Sequence, residues 1–121
     1  MNATQLPFLV EGILILTTMI VGYFLGRGGK PYGKAKLAIH VFLYAWFTTG
    51  FGFIVRGLCM AHTSNWIWVP VVAMGSMILV QLGTGIAMMA ARKVGTMLPK
   101  VHIAAAVLLV LSDICAYVFA G

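Results

Sequence analysis

Acidic side chains are almost missing from this chain: among its 121 residues only Glu11 and Asp113 carry one. Charge of either sign is scarce, at 8% of residues against about 25% in soluble globular domains. So few charges cannot cover a water-facing surface, which excludes an ordinary soluble domain. Cysteine is nearly missing too. Cys59 is expected in an outer loop and Cys115 inside the last helix, and no CxxC pair occurs. Their separation in depth argues against a disulfide. The start of the chain has no basic segment ahead of its first apolar run, and no small-residue cleavage site follows it. That run is therefore expected to remain as a helix and not to be removed as a signal.

What the chain does have is apolar side chains, 62% of the total. Crossing a bilayer takes about 20 of them in a row. Four stretches meet that requirement, at 7–26, 37–56, 68–91 and 101–120. The expected fold is all-α, a polytopic membrane four-helix bundle forming a single transmembrane domain over 1–121. The connecting segments are short, so sequential helices should pack antiparallel.

The formal charge of +6 has a local origin, since seven of the eight Lys and Arg residues lie in two segments. Arg27, Lys30, Lys34 and Lys36 flank the first connection, and Arg92, Lys93 and Lys100 flank the third. The middle connection, 57–67, has neither Lys nor Arg, and Arg56 borders it. No basic run alternates with exposed aromatics, so nucleic acid is not an expected partner. The positive-inside rule instead places both basic segments in the cytoplasm and both termini outside. The expected location is a cytoplasmic membrane of prokaryotic type, with Trp66 and Trp68 in an outer interfacial belt.

Ionisable residues within hydrocarbon are costly and therefore mark function. His40 lies four residues past Lys36, and His102 two past Lys100. Both sit at the cytoplasmic start of an outward-running helix, at depths matched to within about one helical turn. Two neutral imidazoles can supply both axial ligands of a haem iron. Ala105 and Ala106 after His102 leave room for a porphyrin. Tyr44 and Phe47, at helical spacing after His40, offer walls, and the basic loops offer cations to propionates. No CxxCH attachment motif is present, so the haem would be one non-covalent haem b.

A second group lies toward the outer face: Glu11, Arg56 and Asp113. Asp113 is eleven residues beyond His102, close to three turns, so the two share one helix face. An ion-pair network, a proton path or a small-molecule site would each use these three residues. Gln81, near mid-membrane, would extend a polar route. Cys59, Met60 and His62 are soft enough for copper, although one short loop does not define a site.

The pair of basic-residue-then-histidine entries, at Lys36 to His40 and Lys100 to His102, resembles the four-helix cores of membrane b-type cytochromes. The resemblance extends to all four helices in architecture and to these short stretches in sequence. It implies electron exchange with a quinone or with partner redox subunits, by an electron-transfer protein and not a stand-alone enzyme. Two-haem members of that group use two histidine pairs, and this chain has one. A small proton- or ion-coupled transporter using Glu11, Asp113 and Arg56, as an oligomer, is the alternative. A cofactor-free membrane anchor is the third reading.

The charge asymmetry predicts a labelling pattern. In a background with Cys59 and Cys115 replaced, single cysteines at Thr4 and Ser64 should react with an impermeant thiol reagent from outside. Cysteines at Gly33 and Gly95 should react only from the cytoplasm. Outside labelling at Gly33 would reverse the assignment.

Overall fold

A computed structural model describes all residues, Met1–Gly121. It is all-helical. The helices are α1 (Gln5–Arg27), α2 (Lys34–Met60), α3 (Trp68–Ala90) and α4 (Met97–Ala120). Each is long and apolar enough to cross a membrane. The shortest have 23 residues, about 34 Å at 1.5 Å per residue, against a hydrocarbon core of about 30 Å.

The chain divides into two compact units, Met1–Thr63 and Ser64–Ala120. The first is the α1–α2 hairpin. Glu11 near the start of α1 meets Gly50 late in α2, and Gly22 late in α1 meets His40 early in α2, so the helices are antiparallel. The second unit is the α3–α4 hairpin, closed through 91–96. Each helix buries a narrow stripe at helical spacing: Phe8, Glu11, Ile15 and Thr18 on α1, and Ala105, Ala106, Leu109, Asp113 and Ala116 on α4. The opposite faces are large and apolar, as at Ile13, Ile20, Leu111 and Val118. This is the expected exterior of a chain solvated by lipid.

Several helix ends lie farther out than hydropathy alone indicates. α2 begins at Lys34 instead of 37 and runs to Met60 instead of 56, and α4 begins at Met97 instead of 101. Basic and small residues continue a helix through the interfacial zone, where hydropathy falls but backbone hydrogen bonding does not. Cys59 therefore lies in the last turn of α2 and not in a loop.

Local chemistry sets these ends. At the start of the chain, Asn2 Oδ1 accepts from the Gln5 backbone N–H at 2.9 Å, and Gln5 Oε1 accepts from the Asn2 N–H at 3.0 Å. This reciprocal pair is a capping box. α2 closes with the Thr63 N–H on the Leu58 carbonyl at 3.1 Å and the His62 N–H on the Cys59 carbonyl at 3.0 Å. That is a Schellman motif, whose reversal needs a left-handed residue. His62 fills that position with φ of 52°. Left-handed backbone costs a non-glycine residue about 1–2 kcal/mol. His62→Gly should therefore stabilise the α1–α2 hairpin by up to about 1 kcal/mol, read as a higher thermal midpoint in detergent. A lower midpoint would show that the imidazole itself holds the turn.

Candidate functional site

Hydroxyl groups in these helices mostly bond their own backbone. Thr17, Thr18, Thr49, Ser76 and Thr84 each donate to the carbonyl one turn back at 2.7–2.9 Å. This disposes of a donor where lipid has no acceptor to offer. Imidazole, amide and carboxyl groups cannot reach their own helix so easily, and they lean on the neighbouring one.

His40, half-buried on α2, crosses to α1. Its Nδ1 lies 3.1 Å from the Thr18 carbonyl oxygen. A carbonyl only accepts, so Nδ1 carries the hydrogen. The ring reaches that carbonyl by lying on Gly22: a Cβ there would sit 2.8 Å from its Cε1. A side chain at Gly22 would force the ring to shift away from the helix, so glycine suits this position.

His102, also half-buried, leans on α3 in a comparable way. Its Nδ1 is 2.6 Å from Thr84 Oγ1. The Thr84 hydroxyl donates to the Val80 carbonyl at 2.7 Å. The Gln81 carbonyl is a second acceptor for that hydrogen at 3.3 Å, and with the hydrogen on either carbonyl Thr84 accepts from Nδ1–H. Gln81 Nε2 donates to the His102 carbonyl at 2.7 Å. Gly85 again underlies the ring, its would-be Cβ 3.7 Å from His102 Cε1. The carbonyl contact assigns the Nδ1 hydrogen to His40, and the carbonyl-bonded rotamer of Thr84 assigns it to His102, which leaves the basic lone pair on Nε2.

Around His40 in its hairpin, Tyr44 is half-buried and Phe47 buried, their rings edge-to-face with centroids 5.1 Å apart. On the histidine-bearing stripe of α4, Ala105 and Ala106 are buried. Glu11 is buried at 3% exposure, its carboxylate pressed against Gly50. Arg56 is exposed near the end of α2. Asp113 is buried at 4% exposure, and its Oδ1 accepts no hydrogen bond. Cys59 is exposed, as is Cys115. No group of three or more His, Cys, Asp or Glu side chains converges as a metal site.

The structure therefore joins His40 to Thr18 and Gly22, His102 to Gln81, Thr84 and Gly85, and Glu11 to Gly50. Thr18 and Thr84 were not legible as partners. They lie 22 and 18 residues before their histidines, a separation that depends on loop length and hairpin register and on no local motif. Gln81 is visible in sequence as an intramembrane amide, and its actual partner is the His102 carbonyl.

No protein-family model, curated protein or solved structure matches this chain. The reading of its function therefore rests on the chemistry just described.

Two glycines of one helix provide a test of that packing. A Cβ on Gly50 would collide with the buried Glu11 carboxylate, whereas one on Gly52 would meet nothing within 4 Å. Gly50→Ala should destabilise the hairpin by about 1–3 kcal/mol, the usual cost of overpacking. Gly52→Ala should be neutral or stabilising by up to about 1 kcal/mol through helix propensity. In a Glu11→Ala background the Gly50→Ala cost should disappear, as a double-mutant cycle would register. Equal effects at the two glycines would refute the contact.

Proposed function

We propose that this chain is a membrane b-type cytochrome that holds one non-covalent haem b through His40 and His102 and passes electrons to or from a quinone or a partner redox subunit. The observation that carries the reading is the shared Nδ1 contact. In each hairpin Nδ1–H is held by an acceptor of the preceding helix, the Thr18 carbonyl and the Thr84 hydroxyl. Metal-bound histidines characteristically donate their other ring N–H to such an acceptor, which orients the ring and raises the basicity of the ligating nitrogen. Nε2 is then the ligating atom in both. Two imidazole nitrogens are a suitable axial pair for haem iron.

Bound haem supplies one-electron redox chemistry, and two imidazole ligands favour electron transfer over oxygen binding. The residues of the chain do the rest. Thr18 and Thr84 fix the rings. Gly22 and Gly85 give them room against α1 and α3. Tyr44 and Phe47 contribute aromatic wall, and Ala105 and Ala106 leave space for a flat macrocycle. Arg27, Lys30 and Arg92, in or beside the basic connections, are suited to propionates. The segments between helices span at most seven residues, 61–67, and none can house a flavin or nucleotide domain. The electron donor or acceptor is then met outside these inter-helix segments, in the bilayer or at the cytoplasmic face.

Purified protein from haem-replete cells should show a Soret band and, after dithionite, the sharp visible bands of low-spin haem. His40→Ala and His102→Ala should each abolish haem retention, and His62→Ala should leave it intact. Thr84→Val should weaken haem affinity about 10- to 100-fold, the usual effect of removing a ligand's hydrogen-bond partner, with Thr84→Ser close to wild type. Wild-type protein without a Soret band would end this reading.

A further inference from the structure

The proposed haem site makes no use of Asp113. This side chain is 4% exposed, and its Oδ1 is buried with no hydrogen bond. An ionised carboxylate is purely an acceptor, and one left unsatisfied in hydrocarbon is strongly disfavoured. Its own hairpin holds nothing to neutralise it. α3, the helix packed against α4, has no Asp, Glu, Lys, Arg or His anywhere in Trp68–Ala90. The contacts of His102 with Gln81 and Gly85 set the register of the two helices. By that register, α3 presents its buried Pro70, Val71 and Met74 at the level of Asp113. The nearest cation on α4 is Lys100, thirteen residues away, about 20 Å along the axis. Tyr117, one turn on, is the only phenol of the hairpin and brings no positive charge.

We propose that Asp113 is an intramembrane cation-binding carboxylate, which takes up and releases H+ or Na+ through its Oδ1 edge. The required partner is small and positive, because the site is enclosed and has an acceptor without a donor. A proton converts the group to a neutral acid, and a sodium ion satisfies the same lone pairs by coordination. Such a site would let a membrane protein couple another event, electron transfer included, to cation uptake. The proposal stands independently of haem.

The chain contains a single aspartate, so isotope labelling reports this site without a mutation. The protein would be made cell-free with aspartate labelled at its side-chain carboxyl carbon, placed in lipid, and followed by solid-state NMR or infrared spectroscopy. The spectra would be recorded with and without haem. A neutral-acid signal that converts to carboxylate as pH rises, indifferent to NaCl, identifies a proton site. A carboxylate signal that shifts with NaCl but not with choline chloride identifies a sodium site. A signal, neutral or ionised, that neither pH nor sodium moves overturns the proposal, because the group would then be locked within the protein.

Discussion

Hydrocarbon offers no hydrogen-bond partner, and this one constraint accounts for most of what is seen inside the helices. Every polar group placed there must be satisfied by protein or neutralised. Most short hydroxyl side chains meet the requirement within their own helix. Longer groups meet it across a hairpin: His40 on the Thr18 carbonyl, His102 on the Thr84 hydroxyl, and Gln81 on the His102 carbonyl. Those contacts tie α2 to α1 and α4 to α3, and they also fix which nitrogen of each imidazole is basic. Stability and chemistry therefore have a common origin in these hairpins.

Glycine makes the cross-helix contacts geometrically possible. Gly22, Gly50 and Gly85 each receive a polar side chain of the facing helix, while Gly26, Gly52 and Gly83 have open space where a Cβ would be. Close helix approach and cofactor clearance are the uses usually considered for membrane glycines. Here the first use takes a particular form. A glycine leaves the surface of its helix bare, so a ring or carboxylate can settle against the backbone, where no other acceptor is on hand. Gly22 shows it most clearly, since the ring lying on it reaches a carbonyl that a larger side chain would cover.

The two hairpins repeat one device with different parts. In each, a basic connection leads into a helix whose first turns carry a histidine seated on a glycine of the preceding helix. One copy uses a main-chain carbonyl as acceptor and the other a threonine hydroxyl that has already spent its hydrogen. Two chemically distinct routes to one tautomer favour a role for the ring beyond filling space, and this is why a ligand role is the preferred reading. The acids differ from this pattern. Glu11 packs on a glycine of its own hairpin, but Asp113 faces an α3 that has no ionisable group at all.

Composition and periodicity determine a good deal by themselves. Four long apolar stretches in a chain with two acids can only be membrane helices, and the number and approximate limits of the spans follow. The ionisable residues within them are also plain, because each stands out against an apolar run. Hydropathy misplaces the ends, since it reports solvation, whereas a helix continues as long as its backbone bonds continue; Cys59 and Lys34 became helical for that reason. Only the tertiary structure could decide what each buried polar group bonds. The partners of His40 and His102 are 22 and 18 residues away, and which turn of one helix faces which turn of the next depends on the connection and on the contact surface of both. The tautomers, the role of Gly22 and the unsatisfied oxygen of Asp113 all follow from that register, which no local run of residues encodes.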